Sequence, residues 1–393
     1  MFSSRIPANV APNRLTGALR ARRERGEPLL DLTESNPTRA GFNYPAELLA
    51  PLGSARGMRY APAPLGLIEA REAVAADYAR RGLAVPVERI VLDASTSDGY
   101  SMLFKLLADA GDEVLVPRPS YPLFDHLTQL DLVVSKPYDL DLHGSWSIDF
   151  DGLERAITPR TRAVLVVSPN NPTGSYVSAA DLDRLAGICA ARGLAIIADE
   201  VFADYELESG AAARAGWVAS RTDVLSFALG GLSKSVGLPQ LKLGWMTVGG
   251  PERLVAAALD RLEFACDTYL AVATPVQLAA AELLERGAVV RTQIASRVRA
   301  NYNALQSAVI GAPSCRVLPS EGGWYAVLQV PSIESEEDLV LALLDDGVLV
   351  HPGYFFDFPR ESFLVVSLLP PEASFADGIS RVLRHVDRKV SAS

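Results

Sequence analysis

Apolar residues along this chain follow two spacings in alternation. They recur at helical intervals over 68–78, 100–107 and 179–191, and short aliphatic runs at 89–92, 113–116, 163–167, 194–198, 224–227 and 243–248 read as buried strands. Strand and helix in alternation predict an α/β unit whose mostly parallel sheet lies between crossover helices. Ligands of such sheets bind beyond the carboxyl ends of the strands, so chemistry is expected in the loops that follow them. After about residue 285 the pattern changes. A long helical stretch over 289–309 leads to strands at 315–318, 324–330, 347–350 and 363–368, with helices at 335–344 and 376–386. This α+β pattern predicts a large domain over 46–285 and a smaller domain built from 1–45 and 286–393, since 393 residues exceed what one core usually serves.

Composition narrows the function. A net charge of −10 argues against a chain that lives on nucleic acid or anionic lipid, so any anion must be caught locally. No apolar run approaches the roughly 18 residues of a membrane span. Cys189, Cys266 and Cys315 are odd in number and form no CxxC pair, as expected of a reduced cytoplasmic protein. The histidines are equally scattered, and no metal site is expected. Arginines 20, 22, 23 and 25 are interrupted by Glu24 and Glu27 and read as a solvated helix rather than a transit peptide.

The polar signals fall in the loops after the strands. Beyond 163–167 comes Ser168-Pro169-Asn170-Asn171-Pro172-Thr173-Gly174, a turn that presents an asparagine at a strand end. Beyond 194–198 comes Asp199, whose carboxylate at the end of a buried strand needs a cationic partner. A protonated pyridine nitrogen is such a partner. Ser233-Lys234 follows the next strand, and a lysine in that setting reads as a Schiff-base nucleophile, which points to pyridoxal 5′-phosphate.

Asn171-Pro172-Thr173-Gly174, Asp199-Glu200-Val201, Ser233-Lys234 and Lys242-Leu243-Gly244-Trp245 resemble, in order and spacing, the class I/II aminotransferases of fold type I. Tyr60 with Gly66, the helix around Glu69-Ala70-Arg71-Glu72, Ser95-Thr96-Ser97, Pro119-Ser120-Tyr121-Pro122 and Gly322-Gly323-Trp324-Tyr325 extend the likeness over nearly the whole chain. The resemblance implies a pyridoxal-phosphate transferase with Lys234 as anchor and base and Asp199 holding the pyridine nitrogen protonated. It further implies Ser95, Thr96 and Ser97 around the phosphate at a helix N-terminus, Ser233 among the cofactor contacts, Tyr121 stacked on the ring and Asn171 on its phenolic oxygen. Tyr60 would reach the cofactor of the neighbouring subunit, making the active unit a homodimer.

The chain also departs from the family pattern. Phe202 stands where a tyrosine normally donates to the phenolic oxygen, Lys242 where an arginine usually binds phosphate, and Gly231 where a serine often helps. Val365 occupies the place of the arginine that clamps the substrate carboxylate. Arg39, in Ser35-Asn36-Pro37-Thr38-Arg39, is the expected substitute, with Asn36 and Tyr354 as further substrate contacts and Arg118 or His351 as weaker alternatives. Trp324, Tyr325 and Tyr354 line the pocket or belong to the core. The expected activity is transfer of an amino group between an amino acid and a 2-oxo acid; a lyase, decarboxylase or cyclase reaction on the same fold is the alternative.

Overall fold

The computed structural model describes residues 2–8, 10–360 and 362–392. Its centre is an eight-stranded sheet. In chain order the strands are β1 (Ile90–Asp93), β2 (Glu113–Arg118), β3 (Val134–Leu142), β4 (Trp146–Ile148), β5 (Thr161–Val167), β6 (Ala195–Asp199), β7 (Ser226–Gly231) and β8 (Gly244–Gly249). Across the sheet they run β1-β8-β7-β6-β5-β2-β3-β4. The pairs β7/β6, β6/β5, β5/β2 and β2/β3 are parallel, while β8 is antiparallel to both its neighbours and β4 to β3. Strands β1, β6, β7 and β8 are buried along their whole length, as a sheet covered on both faces requires.

Local signals set the helices. The helix Ala179–Arg192 begins at Ser178, whose hydroxyl accepts from the Asp181 N–H at 3.0 Å, and ends at Gly193 with φ 67°. Leu182, Leu185, Ala186 and Cys189 fall on one face of it, and that face is buried. The helix expected over 289–309 in fact spans Thr274–Val309. Pro275 suits its first turn, and the buried Gln277 accepts from the Leu67 N–H at 2.7 Å, so a polar residue continues the inward face where apolar periodicity is weak. A further helix, beyond those expected, spans Glu252–Tyr269.

The C-terminal part carries an antiparallel four-stranded sheet in the order Arg316–Val317, Tyr325–Gln329, Phe363–Ser367, His351–Pro352. The N-terminal segment joins it. Leu30–Asp31 pairs in parallel with Val348–Leu349, and the Ser367 N–H donates to Leu32 O at 2.7 Å. The Ser367 hydroxyl donates to Glu34 O, also at 2.7 Å. These bonds carry residues 32–35 along the strand and deliver Ser35 to the mouth of the cavity at the ends of β5, β6 and β7. Among the described residues no helix is long and apolar enough to cross a membrane, and no cluster of three or more metal-ligating side chains occurs.

Candidate active site

A cavity of about 170 Å³ opens where β5, β6 and β7 end. Ser95, Thr96 and Ser97 line it at the start of the helix Thr96–Leu107, and Tyr121, Asn171, Asp199, Phe202, Ser233 and Lys234 line its other sides. Nine residues singled out from the sequence thus converge on one space.

The walls are fixed by bonds between loops. The Asn170 amide donates to Pro119 O at 3.1 Å and to the Thr173 hydroxyl at 2.9 Å, and its oxygen accepts from Ser120 at 3.1 Å. This ties the loop carrying Tyr121 to the loop carrying Asn171. Gly174 has φ 72°, and a Cβ there would lie 1.9 Å from the Ser320 hydroxyl, so only glycine lets this turn meet the 320–322 loop. Lys234 sits in a single turn, Leu232–Ser235, directly after β7. Its carbonyl accepts from the Tyr205 hydroxyl. The next carbonyl, of Ser235, accepts from Arg291 Nε at 2.8 Å, and Arg291 is itself paired with Asp77 at 3.2 Å. The reactive side chain therefore stands on a braced backbone.

Electrostatics divide the two central residues. Burial lowers the Lys234 ammonium from its ordinary 10.5 to about 8, with Asp199 opposing the shift. The Lys234 Nζ lies 4.8 Å from the Trp324 ring centroid and 5.7 Å from that of Phe202. Asp199 is also pushed upward by burial, against hydrogen bonds that favour its charged form. The Val201 N–H donates to its Oδ1 at 3.1 Å and the Tyr100 hydroxyl to its Oδ2 at 3.0 Å.

A phosphorylated pyridine aldehyde fits these residues. Ser95 caps the helix by accepting from the Asp98 N–H at 3.3 Å, and the open helix start with its hydroxyls suits an anion. The Asn171 Oδ1 is buried with no partner in the protein, so a donor group on a ligand in the cavity would complete it, and its amide nitrogen is the atom that would serve a ligand oxygen. Gly231 has a reason of its own: a Cβ there would come within 3.2 Å of Gly244 Cα and Leu243 O, so close approach of the two chain segments disfavours serine.

Several expected residues lie elsewhere in the single chain. Lys242 is exposed, with φ 51°, and does not line the cavity. Tyr60 is 77% exposed and borders a separate small hollow with Asp93 and Asp98. Arg39 is on the surface, paired with Glu34 at 3.1 Å, because the turn at Pro37 to Ala40 directs it outward. Asn36 uses its oxygen to accept from Thr38 N–H and hydroxyl, which closes its own turn instead of facing the cavity. Tyr354 is exposed, and its ring meets Phe355 edge-on. Arg118 pairs with Asp139 at 2.7 Å, and burial lowers the half-buried His351 to about 4; neither lines the cavity. Val365 is fully buried among Leu318, Val327, Phe356, Phe358 and Phe363. Trp324 is core beneath Lys234, whereas Tyr325 reaches the cavity. Sequence reasoning missed Tyr100 and Ser35; a polar residue one turn after Thr96 on the inner face of an otherwise apolar helix was the available signal for Tyr100.

A sheet of this topology with a lysine and an aspartate at adjacent strand ends defines the fold type I transferase class. Comparison with known proteins agrees. Residues 28–374 match the family described as aminotransferase class I and II, and the chain belongs to that family. Glutamate-pyruvate aminotransferase AlaA of Escherichia coli is 29% identical over 358 residues, covering 88% of this chain and 87% of its own length. Alanine aminotransferase of Mycobacterium tuberculosis is 27% identical over 374 residues, covering 91% and 85%. Among solved structures, alanine aminotransferase from Pyrococcus furiosus superposes with a TM-score of 0.88 at 22% identity, covering 99% of this chain and all of that one. The chain is an aminotransferase, an enzyme that transfers amino groups.

Proposed function

We propose that this enzyme holds pyridoxal 5′-phosphate in the cavity bounded by Lys234 and Asp199 and uses it to move an amino group from an amino acid to a 2-oxo acid. The convergence of Lys234, Asp199 and Asn171 on one space carries this reading. When bound, the cofactor supplies a carbonyl for the amine and a cationic ring that accepts electrons. Ser95, Thr96, Ser97 and Ser233 hold its phosphate, Tyr121 packs on the ring, and Asn171 donates to the phenolic oxygen. Phe202 supplies shape without a second donor.

Lys234 Nζ is the base. With its ammonium at about 8, about a tenth is neutral at pH 7, against roughly 1 in 3,000 for an ordinary lysine, so it can take the proton from the substrate α-carbon and return it. Asp199 keeps a negative charge beside the ring nitrogen. We take residues 46–285 as the cofactor domain and 1–45 with 286–393 as the small domain. We also place Tyr60 at a homodimer interface facing the neighbouring site; the exposed Met58, Tyr60, Phe264 and Tyr269 suit such a contact. Buried, unpaired Cys189, Cys266 and Cys315 suit the cytoplasm.

The test is a half-reaction. Purified enzyme loaded with pyridoxal phosphate is mixed with L-alanine or L-glutamate, the donors suggested by the names of its relatives, and then with each other proteinogenic amino acid. Loss of the visible band, with pyridoxamine phosphate recovered and no ammonia released, is expected for at least one donor and not for Lys234→Ala. Release of ammonia with the cofactor left as pyridoxal phosphate would refute it.

A further inference from the structure

Burial pushes the Asp199 carboxyl upward, and what favours its charged form is two hydrogen bonds and the more distant charge of Lys234 rather than a salt bridge. Among the described residues no arginine or lysine lies within ion-pair distance of its carboxylate, and its two oxygens are each served by one neutral donor. One donor is local, the Val201 N–H. The other comes from a different element: the Tyr100 hydroxyl, at 3.0 Å from Oδ2.

We propose that Tyr100 is a positioning residue that holds the Asp199 carboxylate ionised and aimed at the ring nitrogen of the cofactor. This rests on the pyridoxal-phosphate reading given above.

Three observations support it. Tyr100 is 1% exposed, its ring stacked on Phe104 at 6.1 Å and meeting Phe124 edge-on at 5.5 Å, so the hydroxyl has little freedom to swing away. Burial, and then the Asp199 charge, hold the phenol well above its ordinary range, so it stays a donor throughout the working pH. Thr96 and Tyr100 are four residues apart on one helix, so they share a face. The same helix therefore offers its N-terminus to the phosphate and, one turn later, a hydroxyl to the residue that grips the opposite end of the ring. The spacing between the two grips is set by a rigid element rather than by loops.

Removing a hydrogen bond to a buried carboxylate leaves it less able to carry charge, and Tyr100→Phe removes only the oxygen. The assay is equilibrium binding of pyridoxal phosphate to apoenzyme across pH, read by quenching of protein fluorescence. Tyr100→Phe is expected to weaken binding about tenfold, the scale of a hydrogen bond to a charged group, and to move the acid limb of the binding curve to higher pH. In an Asp199→Ala background the same substitution should change affinity by less than about twofold, because no acceptor remains.

Unchanged affinity and acid limb in Tyr100→Phe would overturn the proposal, as would a loss of equal size in the Asp199→Ala background, which would mark Tyr100 as packing alone. Failure of the parent enzyme to take up pyridoxal phosphate would instead refute the cofactor reading.

Discussion

Replacing Lys234 by methionine should stabilise the apoenzyme at neutral pH. The substitution keeps an unbranched side chain of similar length and removes a charge from a largely enclosed place. Burial lowers the ammonium from 10.5 to about 8, two to three powers of ten in proton affinity, which amounts to about 3 kcal/mol. The sign follows from proton counts. Between pH 8 and 10.5 the unfolded lysine is protonated and the folded one is not, so stability of the parent rises with pH through that window; below pH 8 both are protonated and the full penalty is present. Methionine carries no such penalty, though it loses the attraction of the ammonium to the Trp324 face, on the order of 1 kcal/mol. The net gain near pH 7 is therefore about 2 kcal/mol. With an unfolding entropy of about 2.1 cal/mol/K per residue over 393 residues, this corresponds to a melting temperature about 2–3 °C higher. Calorimetry of both apoproteins at equal concentration, from pH 7 to 10, measures it; groups common to both cancel. The advantage of methionine should shrink as pH rises and vanish or reverse near pH 10. A difference that stays constant across this range would show that Lys234 is not held at a lowered value, and the argument for it as base would lose its physical support.

Two further outcomes follow from the cavity walls. Phe202→Tyr adds a hydroxyl to a ring that borders the cavity, so the bound cofactor's phenolic oxygen should gain a donor and its visible absorbance should titrate at lower pH than in the parent; an equal or higher midpoint would contradict this. Gly244→Ala would place a Cβ 2.1 Å from the buried Asp93 Oδ1 and 3.2 Å from the Ser95 backbone, so it should push on the phosphate-binding turn at a cost of about 1–3 kcal/mol and weaken cofactor retention about tenfold or more; dialysis followed by cofactor assay would show it.

Much of this architecture is legible in the sequence because two periodicities, one for strands and one for helices, survive in the residues themselves. The aliphatic runs mark β1, β2, β5, β6 and β8 within a residue or two and overlap only the start of β7. What fails to show is where polar or alanine-rich stretches take apolar roles, as in the first turns of Thr274–Val309 and the half-exposed β3 and β4; the helix Glu252–Tyr269 carries an apolar face, Val255, Ala258, Leu262 and Cys266, that the spacing does offer. The cavity follows the same division. Residues adjacent to strand ends, Asn171, Asp199 and Lys234, can be placed by counting along the chain. Ser35 reaches the cavity through backbone bonds to a strand more than three hundred residues away, and no local spacing encodes that. Arg39 lies four residues beyond Ser35, yet the turn at Pro37 sends it to solvent, so neighbourhood in sequence misleads there.

That long-range pairing also bears on synthesis. The floor of the cavity, from Ser95 to Gly244, can form once the large sheet has emerged from the ribosome. Its roof cannot, because Leu30–Asp31 has no partner until Val348–Leu349 is made, and the bonds that deliver Ser35 wait for Ser367. Residues 30–35 are thus among the last to settle, and a nascent chain holds an open cleft until residues 348–367 are released.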